Sequence, residues 1–339
     1  MRRGAVLILA LLLAACAGTG VGPALRTHGP VVPAEPQLAT DAFFSDDGAR
    51  LPLRSWLPDG RVKATILALH GFNDYSNAFA GPAADWAEHG IATYAYDQRG
   101  FGEAPDRGYW VGAERLDQDV AVASRLVAAR HPGVPHYILG ESMGGAIAIT
   151  AAAGAAGAGK PVEDGLILVA PAVWGRAAMN VFERFALWSA DALAPGLILT
   201  GHELDLHIMP SDNIAMLRRY AADPLVIKGT RVDALEGLVN LMDLALASAP
   251  KLKPPMLILY GAHDQLIPSE PMRMFLAALP KTTDAGSTVA YYRNGYHMLL
   301  RDLEGPLVTH DVESWVLDPG DPLPSGADRN GGKILTAHD

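Results

Sequence analysis

The chain predicts an α/β domain whose mainly parallel central sheet is covered by helices on both faces. Three observations predict it. Short, continuously apolar runs alternate with longer helical ones; those runs lack the in–out alternation of a half-exposed sheet; and one of them leads through a glycine-flanked serine straight into a helical stretch.

The elements follow in order. Asp41–Ser45 and Leu51–Leu57, split by Asp46-Asp47-Gly48, predict an opening hairpin. Lys63–His70 predicts a buried strand, followed by a helix near Phe79–Glu88 and a second strand over Ile91–Asp97. Leu116–Arg130 places Val120, Ala123, Leu126 and Val127 on one helical face. Tyr137-Ile138-Leu139 then runs into Ser142 and its helix, and Gly165–Ala170 supplies the next strand. Met256–Tyr260 and Thr288–Tyr292 add two more strands around a helix at Ser269–Leu279, and a last helix is expected from about Met298 to Trp315.

The rhythm breaks between Pro171 and about Pro250, where no strand is expected. Three helical patterns, Met179–Leu193, Asp212–Ala222 and Thr230–Ala247, predict an insertion at about 172–250 that folds over the cleft as a lid. Trp174, Phe182, Phe185, Leu187 and Trp188 are its candidates for lining an acyl pocket.

The N-terminus reads as an address. Arg2 and Arg3 precede an apolar run, Ala5–Ala15, too short to span a bilayer and of the length of a signal h-region. It ends Leu13-Ala14-Ala15-Cys16, which resembles the lipobox of bacterial lipoproteins, and Cys16 is the only cysteine in 339 residues. Residues 1–15 are therefore expected to be removed and Cys16 diacylated, anchoring the protein to a membrane of the bacterial cell envelope. Residues 16–38 would be a tether, 39–317 the domain, and 318–339, polar and broken by Pro and Gly, a disordered tail. The net charge of −10, with no basic cluster, argues against a nucleic-acid partner.

The chemistry centres on Gly140-Glu141-Ser142-Met143-Gly144. Strand, sharp turn and helix give the context in which G-x-S-x-G forms a nucleophile elbow, with glycine where the turn is too tight for a side chain. A serine hydroxyl needs a base within hydrogen-bond reach, itself oriented by a carboxylate. Asp264, after the strand ending Tyr260-Gly261, and His297, after the next strand, occur in the chain order such a triad demands. Strand ends of an open parallel sheet share one rim, so the three loops should converge there. His263, Glu270 and Asp302 are poorer candidates: the first precedes the acid, the second opens a helix, and the third is expected at the surface. The backbone N–H groups of Met143 and Phe72 are the candidate oxyanion donors, with His70 structural.

Other chemistries find no support. His202 and His207 are five apart, whereas a zincin helix needs four, so no metal is expected. No G-x-G-x-x-G joins a strand to a helix, so no cofactor is expected either. Asp97-Gln98-Arg99-Gly100-Phe101-Gly102 reads as a turn bracing the active-site loops.

Taken together, His70-Gly71-Phe72, the Asp97–Gly102 turn, the serine pentapeptide, Asp223-Pro224-Leu225, Asp264 and Tyr296-His297 resemble the α/β-hydrolase fold. Within it they are similar to the monoacylglycerol lipase, lysophospholipase and serine aminopeptidase-like group, over roughly Asp41–Trp315. The resemblance implies a helical cap and hydrolysis of small or single-chain lipid esters. An amidase or aminopeptidase of the same fold, and a non-catalytic envelope binding protein, are the alternatives. Two departures stand out: Phe72-Asn73-Asp74-Tyr75-Ser76 follows His70-Gly71 in place of the second glycine that many lipases carry, so a differently shaped oxyanion loop is expected, and Ala104 stands where many relatives have serine.

Overall fold

A computed structural model describes residues 35–154, 160–200, 208–253, 255–280, 286–329 and 331–336. The expected signal segment, Cys16 and most of the expected tether lie outside the described residues, as do His202 and His207.

Eleven strands are assigned among these residues. β1 (Gln37–Leu38), β2 (Ala42–Phe44) and β3 (Arg50–Trp56) form the antiparallel opening; β4 (Ala64–Leu69) and β5 (Ile91–Tyr96) are fully buried. β6 (His136–Glu141), β7 (Gly165–Val169), β10 (Met256–Gly261) and β11 (Thr288–Tyr292) complete a sheet of order β1-β2-β3-β5-β4-β6-β7-β10-β11. From β5 to β11 every neighbouring pair is parallel. The pleat sends alternate residues to opposite faces. Leu67, Leu69, Leu168 and Ile258 enter one core with α2 (Ala113–Arg130) and α3 (Met143–Ala153). Ile66, Ala68, Ile167 and Leu257 enter the other with α1 (Ala80–Glu88) and Trp315. Both faces being covered explains why the strands read as unbroken apolar runs.

The insertion after β7 comprises α4 (Val181–Leu193), β8 (Ile198–Thr200), α5 (Ile214–Ala222), β9 (Gly229–Arg231) and α6 (Val232–Ser248). Two features differ from expectation. β8 and β9 pair as a small antiparallel ribbon, each too short to show a period in sequence. Helix α6 belongs to the body as much as to the lid, because Val239, Leu241, Met242 and Ala245 join the core cluster shared with α3.

The ends also depart from the sequence reading. β1 pairs with β2, so the last two residues of the expected tether already belong to the sheet. The expected last helix is divided: a 3₁₀ turn at Leu299–Arg301 is followed by α8 (Gly305–Leu317), with α7 (Ser269–Ala278) earlier and α9 (Gly331–Thr336) beyond. The tail expected to be disordered instead packs. Leu323 and Leu335 are buried, Ser325 N–H donates to Asp311 Oδ1 at 3.0 Å, and Tyr291 N–H donates to Ala327 O at 3.0 Å. Its composition is polar, but it covers β11, an edge strand whose free amides need partners.

Candidate active site

The chain visits β4, β5 and then β6 on the far side of β4, so the strand order reverses between β4 and β6. In an open α/β sheet the crevice outside the strand ends at such a reversal is where ligands bind. The loop after β4 and the elbow after β6 meet there. A Cβ built on Gly71 would lie 3.4 Å from Ser142 Cβ.

Ser142 occupies φ 55°, ψ −117°, a left-handed backbone that a side chain rarely adopts and that lifts its hydroxyl from the turn. The flanking glycines are obligatory: a Cβ on Gly140 would lie 2.3 Å from Gly144 O, and one on Gly144 2.0 Å from Leu69 O. Met143 opens α3, and its N–H is among the first-turn donors that no helical carbonyl can reach.

Asp264 and His297 are brought together. His297 Nδ1 donates to Asp264 Oδ2 at 2.8 Å, while Asp264 Oδ1 accepts the N–H groups of Leu266 and Ile267, both at 2.9 Å. The carboxylate is thus fixed on both oxygens, and the imidazole presents Nε2, its basic nitrogen, away from it. Burial opposes a charge on His297, but Asp264, with a smaller contribution from Glu141, outweighs it and raises the imidazole pKa above 6.5. Among the described residues Ser142 Oγ has no hydrogen-bond partner, so the structure joins His297 to Asp264 and leaves Ser142 linked to neither; hydrogen bonds of this kind in a catalytic site commonly tighten only with substrate bound.

The second oxyanion candidate, Phe72, lies in a four-residue turn closed by Asp74 N–H to Gly71 O at 3.3 Å. Asn73, third in that turn, has φ 65°, so it adopts a left-handed geometry that favours glycine at this place in a turn. Asparagine is one of the few residues that tolerate it. His70 is structural: its Nε2 must accept from Gln98 N–H (3.0 Å), which leaves Nδ1 to donate to Gly71 O (2.8 Å). The Asp97–Gly102 turn braces this loop, with buried Asp97 accepting from the N–H groups of Ser76 and Glu103.

Sequence reasoning missed two residues. Arg301 lies four residues beyond His297 and bonds Asp74 Oδ2 (2.7 Å) in the oxyanion turn and Glu141 Oε2 (2.9 Å) beside the nucleophile, so one guanidinium ties three loops. Asp302, expected at the surface, is buried; it accepts Tyr296 N–H at 2.7 Å, and burial pushes its carboxyl up to about 6. The i, i+4 step from His297 to Arg301 was the only available signal. Of the pocket candidates, Trp174 and Leu187 pack against the core, whereas Phe182 (79% exposed), Phe185 (62%) and Trp188 (64%) face outward. His263 stacks on Tyr296 and Glu270 pairs with Arg273, neither meeting the serine loop. Among the described residues no group of three His, Cys, Asp or Glu could hold a metal ion.

Comparison with known proteins agrees with this geometry. The chain is 30% identical to monoglyceride lipase of Homo sapiens over 277 residues, 80% of this chain and 88% of that protein. It is 26% identical to monoacylglycerol lipase of Mycolicibacterium smegmatis, over 81% of this chain and 96% of the relative. Among solved structures, a soluble variant of monoglyceride lipase from Saccharomyces cerevisiae superposes with TM-score 0.67 at 19% identity, covering 88% of this chain and 99% of that one. Monoacylglycerol lipase of Paleococcus ferrophilus gives 0.62 at 21%, covering 79% and 98%. Residues 60–304 match the Hydrolase_4 family, described as serine aminopeptidase, S33. The chain belongs to that family and is a hydrolase of the α/β-hydrolase fold.

Proposed function

We propose that the protein hydrolyses carboxylic esters of single-chain lipids, monoacylglycerols or lysophospholipids, through an acyl-enzyme on Ser142. The observation that carries it is the oriented pair, His297 on Asp264, in loops that follow strands ending on the same rim of the sheet as the left-handed elbow serine. Ser142 Oγ attacks the ester carbonyl while its proton passes to His297 Nε2. The oxyanion forms against the N–H groups of Met143 and Phe72, each such donor typically worth about 3 to 4 kcal/mol. Collapse breaks the C–O bond, His297 returns the proton to the departing alcohol, and water repeats the sequence to free the fatty acid. The relatives named monoglyceride lipase support a lipid acyl donor. So does α4, which exposes Val181, Phe182, Phe185 and Trp188 and suits a substrate held in a lipid surface. Diacylation at Cys16 would hold the enzyme at such a surface in the bacterial envelope.

The family's description brings an aminopeptidase reading with it. That activity needs a carboxylate for the substrate ammonium, and Glu141 and Asp74, the acids beside the nucleophile, are both engaged by Arg301. The ester reading is therefore preferred. The mature protein should take up a fluorophosphonate probe, hydrolyse monoacylglycerol, and prefer a p-nitrophenyl ester over the matching arylamide. Ser142→Ala should lose labelling and turnover together; undiminished turnover in that variant would overturn the proposal.

A further inference from the structure

The turn that carries Phe72 is fastened to the insertion by one residue. Asn73 uses both ends: its backbone carbonyl accepts Ile227 N–H at 2.9 Å, and its side-chain Nδ2 donates to Thr230 Oγ1 at 2.7 Å. The two residues are 157 apart in sequence. Tyr75, two positions on, adds a bond from its hydroxyl to Asp223 Oδ2 at 2.7 Å. Burial alone would disfavour a charge on Asp223. The bonds from Tyr75 and Leu225 N–H, with Lys228 nearby, prevail and keep its carboxyl below the usual range, so this contact is charge-assisted. The cap segment 223–230 thus grips the far side of the turn whose near side touches Ser142.

We propose that Asn73 is a positioning residue that locks the Phe72 N–H onto the oxyanion through its bonds to Ile227 and Thr230, so that the donor is aimed only while this cap segment is seated. The inference rests on the reading of Phe72 as an oxyanion donor to an acyl group on Ser142. A glycine at 73 would satisfy the left-handed backbone equally well. Asparagine adds what glycine cannot, a side-chain amide reaching the cap. A small misplacement of a preorganised donor is costly, because its value depends on alignment with charge that develops only in the transition state.

The discriminating variants are Asn73→Gly, which keeps the backbone and loses the amide; Thr230→Val, which is near-isosteric and loses the acceptor; and Thr230→Ser, which keeps the acceptor. Turnover of a p-nitrophenyl ester should fall roughly tenfold or more in kcat for the first two, with KM within about twofold, as for an interaction made in the transition state. Thr230→Ser should retain wild-type kcat, and Asn73→Gly with Thr230→Val should be no worse than either alone, since one bond cannot be lost twice. Hydrogen exchange of residues 71–76 should rise in Thr230→Val whether or not the protein turns over. Wild-type kcat in Asn73→Gly would mean that only the left-handed backbone matters and would overturn the proposal. Should the wild type prove inert to esters and to fluorophosphonate, the hydrolase reading fails, and the clasp stands or falls on the exchange measurement.

Discussion

Replacing Arg301 by methionine should be among the most damaging single changes away from the triad. The guanidinium is 13% exposed, and its partners Asp74 and Glu141 are 4% and 3% exposed. Methionine keeps most of the stem's bulk but strands two buried carboxylates. Removing one partner of a buried pair costs about 3–5 kcal/mol, and here two anions lose the same cation, which points to the upper end. At about 2–4 °C per kcal/mol for a domain of this class, the midpoint should drop by roughly 10–15 °C. Burial already pushes the Glu141 carboxyl up, and Arg301 is the main influence drawing it back. Without Arg301, Glu141 binds its proton more tightly folded than unfolded. The folded state then holds more protons between the two pKa values, so the loss of stability should grow as pH rises from 5 to 8. Denaturant unfolding at both pH values tests this, with Glu141→Gln added to the Arg301→Met background as the control. Removing one stranded carboxylate should recover part of the loss. A single variant within about 1 kcal/mol of wild type, the scale of an exposed pair, would refute the reasoning. So would a double variant less stable than the single.

Two further outcomes are expected. His297 is faced by Asp264, Glu141 and Arg301, and its raised pKa sets the acid limb of kcat/KM above pH 6.5, with activity falling as pH drops through it. Glu141→Gln deletes one of the charges raising that pKa, so the limb should move to lower pH; a limb that stays or moves upward would remove Glu141 from the electrostatics of the base. Cys16→Ser should release the protein from membranes on fractionation, and unchanged membrane association would remove the acyl anchor.

What was legible in the sequence was what a local pattern can encode. The elbow is five consecutive residues whose glycines are demanded by carbonyls of the same turn and of the neighbouring strand, so the pattern and its cause coincide. Asp264 and His297 each end a strand recognisable by its apolar run, and the shared rim of a parallel sheet does the rest. Helix α6 is recognisable as a helix but reads as part of the lid, because an amphipathic face shows that something is covered without showing what covers it. The tail failed for the opposite reason: two leucines and one serine among polar, Gly- and Pro-rich neighbours were enough to seat it on an edge strand.

The residues that hold the loops relative to one another were the least legible, and the reason is physical. Arg301 reaches partners 160 and 227 residues away, and Asn73 reaches one 157 away. No spacing rule connects such positions. Asn73 does leave a trace, as part of the stretch that stands in place of a second glycine after His70-Gly71, and its left-handed φ keeps a glycine-like backbone while adding an amide. Where a residue other than glycine adopts a left-handed backbone, its side chain is the part that calls for a function. Here that side chain leads from the oxyanion turn into the cap, so one residue supplies both the turn's left-handed backbone and its attachment.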